Sequence, residues 1–232
     1  MIEEAAVESR TMVAKVGAIA GWLTLLGILL FDVIGPMIVA GQRVSGTLDA
    51  GAIASYHSNS ALQYFAPAVF LTAAMFLLFG VALFETLGAV EQARFLARLG
   101  LAFAIVEVPL IITKSALTAT LVSIVGSEEA IVPLFRFWDV LYNSGVYVVE
   151  ASLTITFALA MQYVPAFPRW MPRFGLLVGA LQLVNMTALF VGIPDSATIL
   201  GNLAFMVWFI GANIGLGRIA WQPGRVAAGS LV

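Results

Sequence analysis

Five ionisable side chains, Asp32, Glu107, Lys114, Asp139 and Glu150, lie inside long apolar stretches of this sequence. On insertion scales a charge at the centre of a bilayer costs roughly 2.5 to 3.5 kcal/mol, so such residues are the first candidates for function. Their chemistry is that of carboxylates and one amine. The chain has no cysteine and a single histidine, His57. Disulfides, thiolate metal sites, cysteine nucleophiles and multi-histidine metal centres are therefore excluded, and no metal or cofactor is called for.

The clearest spacing is that of Arg136, Asp139, Asn143, Tyr147, Glu150 and Thr154, three or four residues apart. On a helix this lines one face over about five turns, and a polar stripe in lipid has to face other helices or a water-filled cavity. Glu107 and Lys114 are seven apart and share a face of another helix. An unpaired ammonium near mid-bilayer would find a carboxylate or lose its proton, so Asp139 or Asp32 is the expected partner of Lys114. Asp139 or Glu150 would serve as general acid if the protein is an enzyme.

These residues are positioned by a chain that is 61% hydrophobic and 10% charged, with a mean hydropathy of +1.01 over 232 residues. Soluble domains run near 45 to 50% apolar and about 25% charged. The 11 Lys plus Arg and 13 Asp plus Glu cannot coat a core of that size, so lipid is the expected solvent. The formal net charge of -2, with no basic cluster, argues against nucleic acid as a partner. The acidic start, with Glu3, Glu4 and Glu8, and the length of the apolar run after Lys15 do not read as a cleavable signal peptide.

Stretches of about 20 apolar residues predict spans near 14–40, 62–84, 97–124, 132–163, 171–193 and 197–217. In hydrocarbon each backbone polar group has to be bonded within its own segment, which makes these helices. The expected fold class is all-α, one polytopic bundle of six transmembrane helices covering residues 1–232. Arg10, Lys15, Arg94, Arg98, Arg169, Arg173, Arg218 and Arg225 fall on one side, against Arg43 and Arg136 on the other. That bias predicts both termini in the cytoplasm.

With this direction Asp32, Lys114, Asp139, Asn143, Asn185 and Asn202 gather in the outer half. Glu107 and Asn213 fall in the inner half, and Glu150 lies near the middle. The connection 41–60 is expected to hold a brief interfacial helix, with His57 exposed. Trp138, Trp170, Trp221 and Tyr163 read as interfacial belt residues. Phe65, Phe70, Phe76, Phe79 and Phe84 read as lipid-facing or packing surface. The pairs Gly17/Gly21, Gly175/Gly179 and Gly211/Gly215 mark expected close helix contacts. Pro36 and Pro109 are potential kinks.

The stretch Pro168-Arg169-Trp170-Met171-Pro172-Arg173-Phe174-Gly175-Leu176-Leu177-Val178-Gly179-Ala180 resembles the inner loop and fifth-span start of a bacterial six-span membrane family, domain of unknown function 4386. Ala97-Arg98-Leu99-Gly100 leading to Glu107, and Arg136 with Asp139, are similar to it too. Ala104 stands where that family often carries a basic residue. The resemblance implies six spans and a bacterial cytoplasmic membrane, and it implies no activity.

Three functions follow as expectations. The first is a protein that binds or transports an amphiphilic small molecule or lipid, held by Asp32, Glu107, Lys114, Asn143, Tyr147, Asn185 and Asn202. The second is an accessory subunit whose polar groups fix helix register. The third is a carboxylate-dependent lipid or isoprenoid isomerase or cyclase using Asp139 and Glu150. A homo-oligomer or a larger membrane complex stays open.

Overall fold

A computed structural model describes residues 2–30, 49–58, 62–125, 127–187 and 195–221. The described residues are helical with short turns and no strands. The helices are α1 (Ile2–Gly27), α2 (Ala50–His57), α3 (Leu62–Leu87), α4 (Glu91–Ser123), α5 (Glu128–Val140), α6 (Val146–Met161), α7 (Trp170–Met186) and α8 (Asp195–Trp221). A π-helical segment, Leu141–Gly145, joins α5 to α6 without a break in the rod.

Among the described residues, four segments are long and apolar enough to cross a membrane: Glu8–Leu30, Ala68–Leu87, Glu91–Ser123 and Ile199–Trp221. The helical start of α1 reaches further toward the N-terminus than the sequence predicts, because the acidic residues before Lys15 continue the same helix. Pro109 is accommodated inside α4 with no interruption of the helix.

Six rods form a closed ring. In order they are α1, α3, α4, α5 with α6, α7 and α8, and α8 packs back on α1. Contact registers show that neighbours run antiparallel. Gly17 lies against Ala82 of α3 and Gly27 against Thr72, so α3 descends as α1 rises. A methyl group on Gly175 would sit 2.7 Å from the Trp208 indole nitrogen, and one on Gly211 would sit 2.9 Å from the Met171 sulfur. Gly21 faces Asn213, Gly179 faces Ile155 and Gly215 faces Phe167. Five of the six glycines of the three small-residue pairs therefore face a neighbouring helix, and Gly215 faces Phe167 in the turn before α7. In lipid, dispersion between closely approaching backbones replaces the hydrophobic force that would drive packing in water.

The ring is filled on the side of the 88–90 turn. Phe79 and Phe209 stack with centroids 4.2 Å apart, Phe76 and Phe205 flank them, and Trp208, Phe157 and Met161 are fully or almost fully buried around them. Outward, each rod shows large apolar side chains, among them Leu26, Leu71, Val106, Val148, Leu177 and Leu203. Such a surface is compatible with surrounding lipid. Phe76 and Phe79 are core, whereas Phe70 on the same helix is exposed.

The opposite end is capped by α2. Asp49 accepts hydrogen bonds from the Gly51 and Ala52 amides at 2.8 and 3.3 Å, which satisfies two orphan donors of that helix. Ile53 then packs with Leu121, Ile131 and Phe135 in a second, smaller core. This overturns the exposed placement of His57. The ring is completely buried, Nδ1 bonds the Ile53 carbonyl oxygen at 2.9 Å, and the edges of Phe135 and Trp138 meet it. Trp138 is likewise a packing residue, stacked on Phe135 and donating to the Thr118 hydroxyl at 3.0 Å. Trp170, Trp221 and Tyr163 are exposed.

Candidate functional site

The π segment sets the geometry of the polar rod. Asn143, Ser144 and Gly145 are weak helix formers, and a π turn holds one more residue than an α turn. The two halves of the rod are thereby rotated off the uninterrupted pattern. Ser144 uses the widened turn to donate to the Met186 carbonyl, at 3.1 Å, one of the orphan acceptors at the end of α7. Asp139 and Tyr147 are buried, and Thr154 is fully buried. Arg136 is exposed, which corrects the six-residue stripe: its neighbour Phe135 occupies the inward direction of α5, and Arg136 points away from it.

At the level of Glu150 the rod meets α7. Gln182, with no exposed surface, donates from Nε2 to Glu150 Oε2 at 2.7 Å, and its Oε1 accepts from Asn185 Nδ2 at 3.0 Å. Both α7 residues lie one turn apart on the same face, so one helix presents a two-amide relay to the carboxylate. Glu107 from the middle of α4 completes the group. It is 2% exposed, and it stands in the fields of the Glu150 carboxylate and the Lys114 ammonium. Its Oε2 has no hydrogen-bond partner among the described residues. A buried polar atom without a partner is a costly feature, and it calls for a reason such as stored strain, a catalytic role, or an ordered water or ion.

The network extends to α8. Gly201 lies against the Asn185 amide, and the next residue, Asn202, donates to the Tyr147 hydroxyl at 3.2 Å. Four rods, α4, α6, α7 and α8, therefore share one polar band within an otherwise apolar ring.

Of the residues the sequence singles out, Glu107, Lys114, Glu150 and Asn185 belong to this group, and Tyr147 with Asn202 forms its edge. Asp139 is buried on α5, 11 residues before Glu150, which is about 16 Å along the rod at 1.5 Å per residue. The two carboxylates are thus not brought together as a pair acting on one substrate atom. Asp32 lies outside the described residues, and so does the side chain of Asn143. Gln182 is the residue missed by sequence reasoning. The signal available was a Gln three residues before Asn185 in a helix with no other polar side chain after Arg173.

Further buried polar groups lie toward the 88–90 end. Thr154 Oγ1, the Trp208 indole N–H and both amide atoms of Asn213 lack hydrogen-bond partners among the described residues. No group of three or more His, Asp or Glu among the described residues is placed to hold a metal ion. No family model, curated protein or solved structure matches the chain.

Proposed function

We propose that this chain is a six-span membrane protein with both termini in the cytoplasm, and that its interior polar band binds the head of an amphiphilic small molecule or lipid. The single observation that carries the reading is Glu107, buried on α4 with its Oε2 lacking a hydrogen-bond partner among the described residues. A hydroxyl or ammonium head would supply that partner. The leucine- and phenylalanine-rich faces around the band suit an apolar tail.

The six-span topology draws support from the antiparallel ring. Helices α6 and α7, with 16 and 17 residues, rise about 24 and 25 Å, short of the roughly 30 Å hydrocarbon thickness. The π segment and α5 prolong the first of them. The Lys and Arg bias supports a cytoplasmic 88–90 turn, and the resemblance to domain of unknown function 4386 points to a bacterial inner membrane. Binding is favoured over transport because the stacked Phe76, Phe79, Phe205 and Phe209 fill the ring between the band and that turn.

A second reading, fastening of helix register, is favoured by one observation: Gln182 already links Glu150 to Asn185 across two helices. Native mass spectrometry of the purified protein separates the two. On the binding reading a small molecule or lipid co-purifies, and Glu107→Gln abolishes its retention while leaving the fold intact. If Glu107→Gln lowers thermal stability and the wild type carries no ligand, the network is structural.

A further inference from the structure

A second polar feature lies at the opposite end from α2 and outside the band. Arg10 of α1, Glu85 at the end of α3, and Arg94 and Arg98 at the start of α4 line an open cleft of about 280 Å³, with Phe84, Gly88 and Ala89 as its remaining walls. Three guanidinium groups face one carboxylate. Arg94 is held in place: its Nε donates to the Gly88 carbonyl at 3.2 Å and its Nη2 pairs with Glu91 at 3.0 Å. Among the described residues, Arg10 and Arg98 have no ion pair, so their donors are available to a ligand. A guanidinium presents five N–H donors in a planar fork that matches the oxygens of a phosphate. The volume suits a head group and is too small for a whole lipid.

The surroundings say how such a group would arrive. Phe95, next to Arg94 on α4, is 67% exposed, and Leu78 and Val81 of α3 are exposed further along the same pair of helices. A charged cleft thus opens onto an apolar strip. We infer that the cleft binds a phosphate-bearing anion, presented as the head of an anionic phospholipid whose chains lie along α3 and α4. Basic pockets between membrane helices on the cytoplasmic side are suited to anionic lipid heads for this reason. The inference rests on the membrane reading above but uses none of the residues of the polar band.

The test is lipid binding to the full-length protein in detergent, followed by native mass spectrometry with added phosphatidylglycerol, phosphatidylcholine or inorganic phosphate. Wild type should retain phosphatidylglycerol in clear preference to phosphatidylcholine. Arg10→Gln and Arg98→Gln, which remove groups with no ion pair among the described residues, should each weaken retention about fivefold, and the double variant about 25-fold. Arg169→Gln with Arg173→Gln, at the same end but outside the cleft, should leave it unchanged. Equal losses in both sets would mean generic attraction and would overturn the site. Tight binding of inorganic phosphate with no lipid preference would assign the cleft to a soluble phosphate ester and overturn the lipid source. Glu107→Gln should retain phosphatidylglycerol normally even where it loses the ligand of the band, which keeps the two readings separable.

Discussion

Replacing Gln182 by leucine removes the bridge of the polar band while nearly conserving side-chain length. Gln182 is fully buried and makes two hydrogen bonds, donating to Glu150 at 2.7 Å and accepting from Asn185 at 3.0 Å. In soluble proteins a bond to a charged group contributes about 1.5 to 3 kcal/mol and a neutral one about 0.5 to 1.5 kcal/mol. Within bilayers the measured values are smaller, averaging about 0.6 and reaching about 1.7 kcal/mol, because the unfolded helices find other partners in the membrane. The short bond to a carboxylate belongs at the upper limit and the amide–amide bond at the average. The expected loss for Gln182→Leu is therefore about 2 kcal/mol, read as a shift in reversible unfolding in bicelles. A double-mutant cycle with Glu150→Leu isolates the first bond, with an expected coupling of about 1.5 kcal/mol. A loss under about 0.5 kcal/mol, or a cycle that closes with no coupling, would refute the claim that this bridge holds α6 to α7.

Two further predictions test other parts of the fold. Burial lowers the His57 pKa below its ordinary value, partly opposed by the bond to the Ile53 carbonyl. The folded state therefore favours the neutral ring, while the unfolded chain takes up a proton near pH 6.5. The contribution of His57 to stability is complete above that pH and is lost as pH falls toward the lowered value. Thermal unfolding should show wild type losing stability between pH 7.5 and 5.5 by more than His57→Phe does, and equal slopes would show that the α2 cap is not pH-sensitive through this ring. For topology, the absence of cysteine permits single-site labelling. An impermeant maleimide should modify Ser58→Cys in intact cells and Gln92→Cys only after the membrane is opened; the reverse pattern inverts the orientation, and labelling of both from one side contradicts an antiparallel crossing.

How far the sequence could be read depends on the range of the forces involved. Helical backbone bonds join residues four apart, so a window of apolar residues suffices to place α1, α3, α4 and α8, whereas the cap by Asp49 that starts α2 is seen only in the structure. The candidate site was partly legible for a similar reason. Glu107, Lys114 and Glu150 stand out because a charge in an apolar stretch is costly wherever it points. Gln182 did not stand out, since a single amide in a helix acquires meaning only from the carboxylate opposite it.

Composition and charge bias alone thus determined that lipid is the fitting solvent, that the elements are helices, and which titratable groups enter them. Only the tertiary structure decided that α8 closes the ring on α1, that Phe76 faces in while Phe70 faces out, that Arg136 leaves the polar stripe because Phe135 takes the inward face of α5, and that His57 at the end of α2 is buried. The physical reason is the solvent itself. Lipid is as apolar as a leucine side chain, so hydropathy does not mark the inward face of a helix. That face is chosen by close backbone approach at glycines such as Gly17 and Gly175 and by polar groups that find partners on another helix.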